Sequence, residues 1–150
     1  MVFISHSISS FPLYKSELTL VVPTSHQLAE CNPVSIAKLQ NYPLILLPKN
    51  FYLTELITSH CQKINFKPKL ILEISTMESL VQMVSKGMGI TVLPKPYIDF
   101  LQNKNIQAIK IENPTPTIEI GLIYRKDKYM CAATREFIEQ LKRTVHSLQS

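Results

Sequence analysis

Side chains able to hold a small anion or carboxylate gather at two places in this sequence. The first is Ser75-Thr76-Met77-Glu78, where two hydroxyls stand directly before a run of apolar residues at helical spacing. Ser or Thr at such a position accepts the free backbone N–H groups of a helix start, and Glu78, three residues after Ser75, completes a capping-box pattern. The same unpaired N–H groups, beside hydroxyls, make a helix start a ready site for an anion. Capping preference alone also accounts for both hydroxyls, so the two readings stand side by side. The second place is Lys49-Asn50-Phe51, after an apolar run and ahead of a helical pattern. A cation, an amide and an aromatic ring there suit an acidic small molecule, or equally a loop with an aromatic plug. Thr24, in the polar turn Thr24-Ser25-His26, is a further ligand candidate at a cleft edge.

Catalysis needs an acid, a base or a nucleophile converging on one point. The candidate stretches carry hydroxyls, a lysine and an amide, without a histidine or paired carboxylates nearby in sequence. Glu73 and Glu78 are five apart across a strand–helix junction and read as a strand end and a capping residue, so no enzyme is expected. Cys31, Cys61 and Cys131 are odd in number and widely separated, with no C-x-x-C pair, which points to free thiols and not to a disulfide framework. At least two are expected to be buried as small hydrophobes. His60 and Cys61 are neighbours, about 100° apart on a helix. His6, His26 and His146 are isolated, so neither a metal nor a cofactor is expected.

The elements that must position these residues follow from periodicity. Leu80, Val81, Met83 and Val84 recur at helical spacing after the hydroxyls, Gly87 stands where a left-handed cap closes a helix, and residues 90–93 form a short β-rich run before Pro94. With a strand over 69–74, this is the strand–helix–strand unit of a parallel α/β sheet, whose ligands collect at the carboxyl ends of strands. Upstream, residues 17–22 and 44–47 read as buried strands and residues 34–39 as a short helix after Pro33. A helix opens at Leu53 and closes at Ile64, with Leu53, Leu56, Ile57 and Cys61 as its apolar stripe. Val2-Phe3-Ile4 is β-like, and His6 to Ser10 reads as a polar loop. Downstream lie a brief helix from Pro96, an edge-like strand over 106–111, and a strand over 118–124 in which Gly121 marks a close backbone approach or bulge. A charged turn follows, and then an amphipathic helix over 132–148 striped by Phe137, Ile138, Leu141 and Val145.

At 150 residues, 45% hydrophobic and 18% charged, the chain has room for one domain or two small lobes. Its apolar runs fall far short of the ~20 residues a membrane helix needs, and the amino end lacks the basic start and apolar stretch of a secretory signal. A cytoplasmic protein is expected. The net charge of +5 comes from scattered lysines and arginines, densest at Arg125, Lys126 and Lys128, with no recognition helix or basic arm, so direct nucleic-acid contact is not expected.

The run Glu73, Thr76, Glu78, Leu80, Val84, Gly87, Gly89, Ile90, Leu93, Pro94 resembles the effector-binding domain of LysR-type transcriptional regulators. LTLVVPTSHQLAE over 18–30, YPLILLP over 42–48, Phe66-Lys67-Pro68 and the closing strand and helix from Ile120 to Ile138 are similar in order and spacing, so the likeness covers nearly all of residues 11–142. The resemblance implies an α/β, periplasmic-binding-protein type II-like two-lobed fold, one lobe largely complete and the other partial. Residues 1–21 and 113–150 would belong to the first subdomain and 22–112 to the second, with about half of the first subdomain missing. A small-molecule effector would lie between the lobes, contacting Thr24, Lys49, Asn50, Phe51, Ser75, Thr76 and Met77. The helix from Leu53 to Ile64 would take part in a homodimer, and DNA would be reached only through a winged helix-turn-helix with no counterpart here. A solute-binding protein of similar fold is the alternative.

Overall fold

The computed structural model of the protein describes residues 7–149; Val2-Phe3-Ile4 and His6 lie outside them. The chain divides into two compact units, Ser16–Ile118 and a second made of the chain up to Lys15 with the chain from Glu119 onward.

In the Ser16–Ile118 unit, strand β1 (Ile8–Pro23) supplies its second half, where every residue from Leu18 to Pro23 is buried, as a strand flanked on both sides requires. β5 (Thr91–Pro94) and β6 (Ile106–Glu112) pair with it antiparallel, Leu20 standing opposite Val92 and Ile109. β2 (Val34–Ser35) adds in parallel to the far side of β6. β3 (Leu44–Leu46) pairs in parallel with β4 (Leu70–Glu73), and Leu44 bridges Ile90 in the parallel sense just before β5. Strand β3 therefore lies between β4 and β5. Helix α1 (Tyr52–Lys63) joins β3 to β4 and α2 (Met77–Ser85) leads from β4 to β5, giving the parallel crossovers that the sequence pattern implies. Leu53, Ile57 and Cys61 of α1 and Leu80, Val81 and Val84 of α2 are buried with the strands in one core. Helix α3 (Lys95–Leu101) follows β5.

Both glycines after α2 have a physical reason. Gly87 has φ +77°, and the N–H groups of Gly87 and Met88 donate to the carbonyls of Val84 and Met83 at 2.9 and 3.2 Å, a left-handed helix stop. A Cβ on Gly89 would sit 2.9 Å from Ile45 Cγ1, so only glycine lets this turn approach β3.

In the other unit, β7 (Thr117–Arg125) pairs with β1 and α4 (Ala132–Gln149) follows. Gly121 is the close approach expected: a Cβ there would meet the Phe11 carbonyl oxygen at 3.3 Å. Lys142 Nζ lies 4.6 Å from the Phe11 ring centroid, a cation–π contact.

Several expectations are corrected. Residues 8–10 are strand, not loop, because β1 pairs with β7 as well as with β5 and β6. Residues 34–39 split into β2 and a 3-10 turn (Ile36–Asn41), since Val34 and Ser35 find a partner in β6. The 106–111 strand is not an edge: β6 lies between β1 and β2. Of the cysteines only Cys61 is buried; Cys31 is half-buried and Cys131 exposed. In the α4 stripe Ile138 is buried, but Phe137 is 65% exposed.

Candidate functional site

Loops 48–51 and 74–76 begin where the neighbouring parallel strands β3 and β4 end. Leu46 stands opposite Glu73, and the Ile74 N–H donates to the Leu46 carbonyl at 2.9 Å, tying the two loop bases together. The first loop is held from below: Thr54 Oγ1, buried, donates to the Leu47 carbonyl at 2.9 Å, and the Phe51 N–H donates to the Pro48 carbonyl at 2.9 Å. Lys49, Asn50 and Phe51 are left exposed above this base. Phe51 is the N-cap of α1 and offers no capping side chain; its carbonyl takes the Thr54 and Glu55 N–H groups at 3.1 and 3.2 Å.

At the second loop the cap is Thr76. Its Oγ1 accepts the Ser79 N–H at 3.2 Å and donates to Ser79 Oγ at 3.0 Å. Of the two candidate caps Thr76 takes the role, because it holds the extended backbone (φ −129°, ψ 145°) a cap requires, and the Ser75–Glu78 capping box does not form. That leaves Ser75 exposed and uncommitted to the helix, with Met77 half-buried in the first turn.

Because β3, β4 and β5 run the same way, Lys49, Asn50, Phe51, Ser75, Thr76 and Met77 share the carboxyl edge of the sheet. Thr24 does not. Strand β1 runs opposite to β5, with Leu18 facing Pro94 and Val21 facing Thr91, so the chain beyond Pro23 emerges at the other edge. There the Thr24 N–H donates to the Asn105 carbonyl at 3.1 Å, ahead of β6. Next to it, His26 Nδ1 accepts the Leu28 N–H at 3.1 Å, its ring edge-on to Tyr42 at 5.3 Å; burial lowers its pKa.

Two depressions adjoin the candidate edge. One of about 450 Å³ starts at Lys49 and follows the polar face of α1 past Thr54, Glu55, Thr58, Ser59 and Gln62. Another, about 260 Å³, lies between α2 and the end of α3, lined by Glu78, Val81, Gln82, Leu101 and Asn103. Nearby, the Tyr97 hydroxyl is buried without a hydrogen-bond partner, and burial, then the Glu78 carboxylate, raise its pKa. The sequence reading missed this hydroxyl, since nothing in a short helix after Pro96 shows that its tyrosine turns toward α2. Among the described residues no three His, Cys, Asp or Glu side chains cluster as metal ligands.

The sequence pattern of the LysR substrate binding domain matches residues 4–145. The chain belongs to that family. This LysR domain is 32% identical over 133 residues to the uncharacterized HTH-type transcriptional regulator YwbI of Bacillus subtilis (strain 168), covering 89% of this chain and 44% of that protein. It is 28% identical over 127 residues to the transcriptional dual regulator GltC of the same organism, covering 85% and 42%. The chain spans less than half the length of these relatives. Among solved structures it is similar to the effector binding domain of QuiR in complex with shikimate, with a TM-score of 0.86 and 28% identity, covering 98% of this chain and 69% of that one. The regulatory domain of CcmR from Synechocystis PCC6803, in complex with 2-PG, shares the fold at a TM-score of 0.83 and 18% identity, covering 93% and 67%. The LysR domain here therefore has the α/β, periplasmic-binding-protein type II-like fold expected from its sequence. The relatives named are transcriptional regulators, which favours that reading over a solute-binding protein.

Proposed function

We propose that this LysR domain senses a small carboxylate effector at the carboxyl edge of its Ser16–Ile118 unit. Lys49 supplies the countercharge, the Asn50 amide and the Ser75 and Thr76 hydroxyls supply directional hydrogen bonds, and Phe51 and Met77 supply apolar walls. The observation that carries this reading is the pair of exposed loops on neighbouring parallel strands, fixed at their base by the Ile74–Leu46 hydrogen bond. Loops held by a rigid sheet keep polar groups in register for a guest without further ordering cost. Thr24 has no part in this site.

The domain acts by binding alone, as a regulatory module and not an enzyme. The effector favours one arrangement of the chain over another, and DNA is reached through a winged helix-turn-helix elsewhere in the full regulator, in the cytoplasm. In this assignment residues 22–112 form the second effector subdomain, and 1–21 with 113–150 belong to the first. The regulator works as a homodimer through α1, and exposed apolar side chains on β4, the strand that follows it, support a partner surface: Leu70, Ile71 and Leu72 are 37%, 47% and 36% exposed.

A thermal-shift and calorimetric screen of small hydroxylated carboxylates, with shikimate as first probe, tests the site. Binding at about 100 times Kd adds roughly 2.7 kcal/mol of stability and raises Tm by several degrees. Lys49→Ala and Thr76→Val should each reduce the affinity. A ligand that binds both variants as tightly as the unaltered chain would place the site elsewhere.

A further inference from the structure

On the sheet face formed by β1 and β6, a cavity of about 270 Å³ is lined by Glu17, Thr19, Asn32, Lys95, Asp99 and Lys110. It shares no residue with the proposed effector site. Strand register brings its members together from four separate stretches of sequence: Thr19 stands opposite Lys110, and Leu18 opposite Pro94, the residue before Lys95.

The polar groups fall into two kinds. Lys95 and Asp99 are joined by a salt bridge across one turn of α3, and Thr19 Oγ1 donates to the Ile109 carbonyl at 2.7 Å, so these groups are engaged. Lys110 and Glu17 are different. Their Nζ and Oε1 atoms are 3.9 Å apart, close enough to balance charge but beyond hydrogen-bonding distance. The ammonium keeps its donors and the carboxylate its lone pairs. Asn32 Oδ1 accepts the Lys110 N–H at 3.2 Å, which fixes the amide and leaves its NH2 group as the free end. Two donors, the Lys110 ammonium and the Asn32 amide, and one acceptor, the Glu17 carboxylate, thus face a space large enough for a small amino acid.

We propose that this cavity is a second ligand site, selective for a zwitterion of amino-acid size. The guest carboxylate accepts from Lys110 Nζ and the Asn32 amide, and its ammonium donates to the Glu17 carboxylate. A plain anion would gain Lys110 but be repelled by Glu17, whose carboxylate lies 3.9 Å from the Lys110 ammonium, and a plain cation the reverse; only a guest with both charges gains from both. The inference goes beyond the effector reading and stands independently of it.

The test is an amide NMR titration of the full chain with L-alanine, with acetate and ethylammonium as singly charged controls. L-alanine should shift the amides of Glu17, Leu18, Ala108 and Lys110 saturably and leave those of Asn50 and Thr76 in place, and both controls should bind about tenfold more weakly or worse. Lys110→Met and Glu17→Gln, both at exposed positions, should each weaken the alanine response about tenfold while the rest of the spectrum is preserved. The proposal is overturned by an alanine response that stays linear to about 100 mM, by equal saturation with acetate, or by variants that bind as the parent does.

Discussion

Replacing Thr76 by valine removes one hydroxyl and little else. Valine keeps the β-branch and favours the extended backbone seen at this position (φ −129°, ψ 145°), so no relaxation of the loop is expected. What is lost is the acceptor for the Ser79 N–H at 3.2 Å and the donor to Ser79 Oγ at 3.0 Å. A threonine cap contributes about 1 kcal/mol, and both residues are exposed, so water replaces part of the loss. For a chain of this size that corresponds to a fall in Tm of about 2–4 °C by scanning calorimetry. If Thr76 also touches the effector, losing that hydrogen bond weakens binding about fivefold, read by titration calorimetry at a temperature where both proteins are folded. Ser79→Ala separates the two roles, since it keeps the N–H and the cap and should bind as the parent does. A valine variant of unchanged Tm would refute the cap. One of lowered Tm but unchanged affinity would remove Thr76 from the site.

Gly89→Ala forces a Cβ to 2.9 Å from Ile45 Cγ1 and 3.2 Å from the Pro43 carbonyl oxygen that accepts the Ile90 N–H, so urea denaturation should show a loss of about 1–3 kcal/mol. Gly87→Ala, which meets no atom within 4 Å but must hold φ +77°, should lose about 1 kcal/mol from backbone strain alone. His26 has its pKa lowered by burial, so the unfolded chain binds the proton more readily; stability is full above pH 6.5, the ordinary value, and falls as pH drops below it. His26→Asn, which keeps a capping acceptor without titrating, should flatten that part of the curve in pH-dependent denaturation. Burial pushes the Cys61 thiol up to about 11, whereas the Thr134 hydroxyl lowers that of exposed Cys131, so a thiol reagent at neutral pH should modify Cys131 at least about 100-fold faster; comparable rates would contradict the burial of Cys61.

The stretch from β4 to β5 was legible because its signals are local: a hydroxyl at a helix start, apolar residues at helical spacing, glycines at the stop and a β-rich run. Even there Ser75 and Thr76 are equally able acceptors, and only the backbone decides that Thr76 is the cap. The fate of Thr24 was not legible. Its edge depends on β1 running antiparallel to β5, a pairing between residues some seventy positions apart that no local pattern records. The same holds for Glu17 and Lys110, unremarkable surface charges until the β1–β6 register sets them together. Residues 34–39 misled for a related reason, because a short apolar run satisfies helical and extended patterns alike until β6 supplies a partner for Val34.

Hydrogen–deuterium exchange of the chain with and without a saturating effector tests the central claim most directly. Protection is predicted over residues 49–52 and 75–79, at the carboxyl ends of β3 and β4, with Thr24 to Leu28 unchanged. Protection around Thr24 and Asn105, with the two loops exchanging as before, would contradict it.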